Sequence, residues 1–356
     1  MRKIYLINEF DYDMPDIQGY MTGTEDYPAT DLGIMRALLV NTDISAIPFD
    51  AVYSSPLRRC LDPAQRIFDT VEVSDMITDA DLGLWQGLGL DEIQDRWPEE
   101  YKEWLFNPVS TPPEAESIED RANRLEQFLC NICSKTRGNI AVFTHQKVIA
   151  PFIAKILGLP EDKIHEIRLP YGAVSILEEQ NGTYEVLSSG EQIIPLLEDS
   201  TIQLFLDYFN VSEEERIRSD MIAKKAKAWA EQLSETGLLL DSEIVYAAGR
   251  LQSIGGTDQK GAELGSRILD TMGYSDEAYV VLNHIQLFFR SIINEAVILY
   301  LANRVFSYED ELSFNEVFQK DKQSKPDDAE ALISRDTVII HMINTLYGEE
   351  IIPLEE

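Results

Sequence analysis

The first short apolar run of the chain, Ile4-Tyr5-Leu6-Ile7, constrains the fold more than any other segment because it ends abruptly on polar residues. Its mixture of β-branched, aromatic and aliphatic residues is typical of a buried strand. Asn8 and Glu9 follow it directly, and Phe10 comes next. Ligands of open α/β sheets bind where such strands end, so Asn8 and Glu9 are predicted to lie at a functional edge.

Further motifs follow in a fixed order: Thr30-Asp31-Leu32-Gly33, Phe49-Asp50-Ala51-Val52-Tyr53-Ser54-Ser55-Pro56-Leu57-Arg58-Arg59, Asp81-Leu82-Gly83-Leu84-Trp85-Gln86-Gly87 and Val142-Phe143-Thr144-His145. In this order and at this spacing they resemble the histidine phosphatase (phosphoglycerate mutase-like) superfamily. The resemblance implies an α/β domain over residues 1–192. Its fold would be a three-layer, doubly wound and mostly parallel sheet.

Local signals predict individual elements within this region. Thr30 is a suitable N-cap for a helix that runs to about Asn41. Pro56 is predicted near the N-terminus of the next helix, where its missing N–H is harmless. Asn181-Gly182 predicts the turn of a terminal β-hairpin.

The first motif departs from the family pattern that it resembles. In the family the first strand ends in Arg-His-Gly, and this His accepts the phosphoryl group. The resemblance places Asn8, Glu9 and Phe10 at these positions. A phosphohistidine cannot form at Glu9. Two further phosphate contacts of the family, an Asn and an Arg, fall on Pro15 and Thr24.

Other family-like positions keep suitable residues. Arg59, beside Arg58, matches the second phosphate-binding arginine, and a helix N-terminus that carries arginines suits an anion. Asp79 falls where many members carry the Glu that protonates the leaving group, and His145 matches a His that contacts the transferring phosphoryl group. The candidate ligand-binding residues are therefore Arg58, Arg59 and His145, and the degenerate catalytic pocket contains Asn8, Glu9, Asp79 and His145.

Glu9 adds negative charge beside the predicted phosphate position, where like charges at about 4 Å repel by amounts on the order of kcal/mol. We expect its carboxylate to pair with Arg59 or His145 and to fill this position internally. Two alternatives remain open: Glu9, Asp79 and His145 bind a divalent metal, or Glu9 serves as a general base. Because no spacing signature supports either, we predict no metal and no cofactor.

After Gly190 the sequence changes to helical periodicity, as in Met221, Lys225, Ala228, Trp229 and Leu233. This pattern predicts an all-α domain over residues 197–356.

The order of motifs in this second region, at residues 246–254, 260–264 and 282–284, resembles an HD-domain phosphohydrolase. In that family His and Asp side chains hold metal ions. The matching positions carry Arg218, Gln252-Ser253 and Asn303, none of which is a good ligand for a hard metal. His284 lies near a family histidine, and a single His on an apolar helix is interpreted as a core residue.

The composition excludes several classes of protein. A formal net charge of −33 excludes nucleic-acid binding, which needs clustered Lys and Arg. No apolar run approaches the roughly 20 residues that span a bilayer, and no leader precedes the first strand, so we expect a cytoplasmic protein that binds no membrane. Cys60, Cys130 and Cys133 form neither a disulfide framework nor a complete metal set.

Both predicted domains keep the residues that build a fold and replace those that perform chemistry. We therefore predict a catalytically silent protein that acts as a binding, scaffolding or regulatory subunit for a protein partner. One alternative is a hydrolase of altered mechanism that uses Glu9, Asp79 and His145 with Arg59. Another is a sensor that holds a phosphorylated small molecule or other anion on Arg59 and His145 without cleaving it.

Overall fold

The computed structural model describes residues 2–107, 109–285, 293–306, 311–347 and 351–354. Its contacts divide the chain into two compact units, Met1–Pro195 and Leu196–Glu356. This division falls in the short gap between the two predicted domain ranges.

Short apolar runs of the first unit form a six-stranded sheet in the order β3-β2-β4-β1-β5-β6. The strands are β1 (Arg2–Asn8), β2 (Phe49–Ser54), β3 (Glu72–Val73), β4 (Asn139–Thr144), β5 (Val174–Gln180) and β6 (Thr183–Glu191). The pairs β1–β4, β4–β2 and β2–β3 are parallel. Strand β5 pairs antiparallel with both β1 and β6. The predicted α/β fold with a mostly parallel sheet is confirmed.

Helices connect these strands: α1 (Asp31–Ile44), α2 (Arg58–Ile67), α3 (Leu90–Arg96), α4 (Pro98–Phe106), α5 (Ile118–Cys133) and α6 (Gln146–Leu157). Thr30 caps α1 as predicted, because its side chain accepts a hydrogen bond from the Gly33 amide. Pro56 lies near the start of α2 as predicted, but it precedes the N-cap Leu57 and is not part of the helix. The Ser55 amide still donates to the sheet at Phe143, and its hydroxyl accepts from the Leu57 amide, so a turn precedes α2.

Helices cover both faces of the sheet, which makes three layers. Successive side chains of a strand point to opposite faces. Leu6 and Val142 therefore belong to a core with α5 and α6, whereas Ile7 and Phe143 belong to a core with α1 and α2. The β1 and β4 strands are buried from both sides, as expected of central parallel strands.

The hairpin between β5 and β6 turns at the predicted residues. Asn181 and Gly182 have φ angles of 55° and 81°. Two consecutive positive φ values are the requirement of a tight type I′ hairpin turn, which Asn-Gly meets with little strain.

The described part of the second unit is helical. Its helices are α7 (Asp199–Tyr208), α8 (Glu213–Glu235), α9 (Ser242–Leu251), α10 (Gln259–Met272), α11 (Ser275–Asn283), α12 (Glu295–Val305), α13 (Phe314–Ser324) and α14 (Pro326–Tyr347). Side-chain N-caps begin several of them, namely Ser212, Asp241, Asp258, Asn294 and Ser313. Across the described ranges, we find no helix that combines the length and the apolar character needed to cross a bilayer.

Candidate functional site

The carboxyl ends of β1 and β4 bring the predicted site residues together. The two strands are parallel neighbours, and Asn8 pairs with Thr144 in register. Glu9 and His145 are the next residues of each chain segment, so both leave the sheet at the same edge. Strand β2 lies on the other side of β4 and leads into α2, which supplies Arg59. This is the edge where open α/β sheets bind ligands.

The Glu9 carboxylate joins the two basic groups of this site. Its Oε2 accepts a hydrogen bond from Arg59 Nε at 3.2 Å and is also hydrogen-bonded to His145 Nδ1. The other ring nitrogen of His145, Nε2, lies 2.8 Å from the hydroxyl of Ser55. The expected internal pairing of Glu9 therefore involves both Arg59 and His145, whose side chains are fully buried.

Arg59 has partners on every side. Its Nη1 donates to the Glu25 carbonyl at 2.7 Å, and its Nη2 donates to the Gly23 carbonyl at 2.7 Å and to Asp79 at 2.9 Å. The guanidinium also lies 5.0 Å from the centre of the Tyr12 ring. Burial lowers the pKa of Arg59, but the carboxylates of Glu9 and Asp79 outweigh it and raise that pKa above its ordinary value. The cation is thus held by two carboxylates, two backbone carbonyls and an aromatic ring.

Asp79 is a buried and ionised carboxylate. Its Oδ1 accepts from the Ala80 amide at 2.8 Å, and its other oxygen binds Arg59. Burial alone would raise the pKa of Asp79. The charges of Lys147, His145 and Arg59, together with the Ala80 amide, overcome that effect and lower the pKa to about 2. A carboxyl group of this acidity holds no proton to donate near neutral pH.

Asn8 and Phe10 make structural contacts at the end of β1. The Asn8 amide donates to the carbonyls of Leu169 and Pro170 at 2.7 and 3.0 Å, and its Oδ1 has no hydrogen-bond partner among the described residues. The Phe10 ring is fully buried, and a Cβ on Gly172 would lie only 2.8 Å from it. Both side chains fix the end of β1 to the segment before β5.

The structure does not bring Arg58 into this cluster. Its side chain is 52% exposed and pairs with Asp62 one helical turn later. Adjacent residues of a helix face different directions, so Arg58 and Arg59 cannot both point into the site. Thr24, where the resemblance expects an arginine, binds the Gln86 side chain through its backbone amide and its hydroxyl.

The sequence did not predict several groups that contact or influence the site, and three of them are side chains close in sequence to Arg59 or His145. Ser55 binds His145, and the Cys60 thiol lies 3.6 Å from His145 Nε2. Burial raises the pKa of the Cys60 thiol well above its ordinary value. Lys147 acts on Asp79 through its charge. Their positions within four residues of Arg59 or His145 were the available signal.

One group of side chains at this site has the chemistry of a metal-binding cluster. Ligand atoms of Glu9, Cys60 and His145 lie within 4.8 Å of one another. This set shares two residues with the open alternative of Glu9, Asp79 and His145. The buried guanidinium of Arg59 contacts the same carboxylate at 3.2 Å and opposes a cation there. The residues therefore fit a divalent ion poorly.

The residues of the second unit that were singled out in the sequence lie around one cavity of about 280 Å³. Arg218, Gln252, Ser253, His284 and Asn303 all line it. His284 is buried, and its Nδ1 lies 2.7 Å from the Val281 carbonyl. The sequence-predicted residues thus come together, although they lack the carboxylates and paired imidazoles of a hard-metal site.

Comparison with known proteins identifies relatives of the first unit. A family model described as histidine phosphatase superfamily (branch 1) matches residues 14–192. Phosphoserine phosphatase 1 of Hydrogenobacter thermophilus is 23% identical over 183 residues, which cover 50% of this chain and 86% of that protein. Adenosylcobalamin/alpha-ribazole phosphatase of Escherichia coli is 24% identical over 182 residues, covering 49% and 90% respectively.

A solved structure shares the fold of this part. YhfR of Bacillus stearothermophilus superimposes with a TM-score of 0.50 at 22% sequence identity. The match covers 54% of this chain and 98% of the YhfR chain.

Proposed function

Because the chain belongs to the histidine phosphatase superfamily, we propose that it is a catalytically silent member, a pseudoenzyme that serves as a binding, scaffolding or regulatory subunit for a protein partner. The observation that carries this proposal is the position of Glu9. Its carboxylate bonds to both Arg59 and His145, the two basic groups that the family resemblance assigns to phosphate. An incoming phosphate would have to displace the carboxylate of Glu9, which belongs to the protein and cannot diffuse away.

The chemistry of the remaining groups supports the same proposal. The reaction implied by the resemblance needs an imidazole at position 9 to accept the phosphoryl group, and Glu9 has none. It also needs an acid for the leaving group, and efficient general acids have pKa values near the working pH. The pKa of Asp79 is about 2. Neither step of the reaction has a suitable residue.

The proposal extends to the second unit as an HD-like helical domain over residues 197–356 without a metal centre, following a phosphatase-like domain over residues 1–192. Arg218 stands where the resemblance expects a metal ligand, and its positive charge repels a cation. The named relatives are phosphatases. We propose that this chain keeps the fold of such an enzyme and uses its surface to bind a protein partner.

A phosphatase assay tests the proposal. We expect the purified protein to release no phosphate from p-nitrophenyl phosphate or phosphoserine above the level of its His145→Ala variant. This variant is the matched control, because it carries the same contaminants and lacks the best-preserved family residue. Phosphate release by the wild type that disappears in His145→Ala would overturn the proposal.

A second measurement tests whether Glu9 fills the anion position. The Glu9→Ala substitution should open a space between Arg59 and His145 that an oxyanion can enter. We expect orthovanadate to raise the melting temperature of Glu9→Ala more than that of the wild type. An equal rise in both proteins would contradict the internal filling of this position.

A further inference from the structure

The cavity of the second unit contains an arginine, Arg218, whose charge is poorly balanced by the residues that the structure describes. The Arg218 guanidinium lies 3.8 Å from the Glu215 carboxylate and 3.4 Å from the Phe306 carbonyl, which are both long contacts. Its side chain is 40% exposed. Arg304, in the same wall, is instead held by the fully buried carboxylates of Asp321 and Asp336. Among the described residues that line the cavity, Arg218 is therefore the arginine that can bind a ligand.

A buried hydroxyl with unused hydrogen-bonding capacity also lines the cavity. Ser253 is only 8% exposed, and its Oγ has no hydrogen-bond partner among the described residues. Leaving a hydroxyl buried without a partner is unfavourable. A polar ligand atom in the cavity would satisfy it.

His284 supplies an acceptor to the same space. Its Nδ1 donates to the Val281 carbonyl at 2.7 Å. Burial, and to a smaller extent the charge of Arg218, lower the pKa of His284, so the imidazole is neutral. Its Nε2 then carries a lone pair that can accept a hydrogen bond from a ligand.

We propose that this cavity binds a small phosphorylated metabolite that also carries hydroxyl groups. A phosphate monoester offers several acceptor oxygens at once, which matches a guanidinium and a hydroxyl donor better than a single polar group would. The phosphate binds Arg218 and Ser253, and a hydroxyl of the ligand donates to His284. The side-chain amide of Asn303 donates a hydrogen bond to Gln252 Oε1 at 2.9 Å, which links these two lining residues. This inference concerns the second unit and is independent of the chemistry at Glu9.

Calorimetric titration of the full chain with ribose 5-phosphate and with inorganic phosphate tests the proposal, at constant ionic strength and with ribose as the unphosphorylated control. We expect saturable binding of ribose 5-phosphate and no binding of ribose. Arg218→Gln should weaken binding by at least about tenfold, because a charge-assisted hydrogen bond is lost. Glu215→Gln should strengthen the binding of ribose 5-phosphate, because it removes from the cavity a carboxylate that repels the phosphate.

Two further variants separate binding from folding. Ser253→Ala should weaken binding without lowering the melting temperature, because it removes a hydroxyl that has no partner among the described residues. Arg267→Gln, at an exposed position of α10, is the control for loss of one positive charge and should bind like the wild type. Absence of saturable binding of both phosphate compounds, or equal binding by Arg218→Gln and the wild type, would overturn the proposal.

Discussion

The carboxylate of Glu9 adds negative charge to the site around Arg59. Two carboxylates, Glu9 and Asp79, already contact the single guanidinium of Arg59. A phosphate dianion would therefore meet negative groups rather than an unpaired cation. The same contacts also hold the fold together, since truncating one member of a buried ion pair leaves the other charge without compensation. The ion pairs around Arg59 therefore stabilise this end of the sheet.

The pH dependence of stability should report the ionised state of Asp79. Its pKa in the folded protein is about 2, below the ordinary value of 3.8. A lowered folded-state pKa stabilises the protein above the unfolded-state pKa, and this contribution disappears as the pH falls from about 4 to about 2. A shift of this size corresponds to roughly 2 kcal/mol of folding free energy.

Urea unfolding of the wild type and of Asp79→Asn measures this contribution. At pH 6 we expect the variant to be less stable by about 2 kcal/mol, and the difference should shrink as the pH is lowered toward 2.5. Asp16→Asn, at an exposed position, is the matched loss of one carboxylate and tests whether the effect requires the buried site. A difference between wild type and Asp79→Asn that stays constant with pH would contradict an ionised, paired Asp79.

Strand ends and motif spacing located Glu9, Arg59 and His145 from the sequence, because the register of parallel strands decides where such residues emerge. The partners of Arg59 at Gly23 and Glu25 were not predictable in the same way. They are backbone carbonyls of an irregular loop, and any residue type supplies a carbonyl. Loop paths depend on tertiary contacts that local sequence does not encode.

At the scale of elements, the most accurate predictions concern apolar runs with clear ends. The Ile4–Ile7 run, predicted as a buried strand, lies within β1, since both the apolar run and the polar residues after it are visible in the sequence. Strand β3 was missed because Glu72 and Val73 are both exposed and the strand is only two residues long. Such a strand leaves no alternation of apolar and polar residues to detect.

Helix α2 shows how a proline can assist packing within a helix. Pro63 has no N–H, so the Arg59 carbonyl one turn earlier loses its usual helical partner. That carbonyl instead accepts a hydrogen bond from the Phe10 amide at 3.2 Å. Pro63 therefore leaves the Arg59 carbonyl available to link α2 to the end of β1, and the helix continues to Ile67.

Close packing of α8 against α9 should depend on Gly249. A Cβ at this position would lie 2.9 Å from Ala223 on the facing helix. Alanine has the better helix propensity by up to about 1 kcal/mol, but overpacking of a buried contact costs roughly 1–3 kcal/mol. We expect Gly249→Ala to lower the melting temperature in calorimetry.

Gly265 in α10 provides the matched control for this prediction. It is also a buried helical glycine, but a Cβ there would have its nearest neighbour, the Ile254 side chain, at 3.3 Å. We expect Gly265→Ala to be close to neutral, because the gain in helix propensity offsets a smaller adjustment. Equal melting temperatures for the two variants would argue against a close helix contact at Gly249.

At the scale of the whole molecule, the dominant property is the excess of 63 acidic over 30 basic residues. Surface charges of one sign repel one another and oppose the compact state, and they also repel free anions at long range. The same field favours the approach of a partner with a basic surface. Stability and association should therefore both depend on ionic strength, in opposite directions.

Salt should stabilise this protein against heat. The screening length falls from about 30 Å at 0.01 M salt to about 10 Å at 0.1 M, so distant repulsions weaken much more than the buried contacts around Arg59. We expect the melting temperature to rise over this range, and equally in sodium chloride and potassium chloride, because screening depends on ionic strength and not on a specific cation. A falling melting temperature would mean that surface ion pairs such as Arg96–Glu92 outweigh the general repulsion. A rise in only one of the two salts would indicate a specific cation-binding site instead of screening of the net charge.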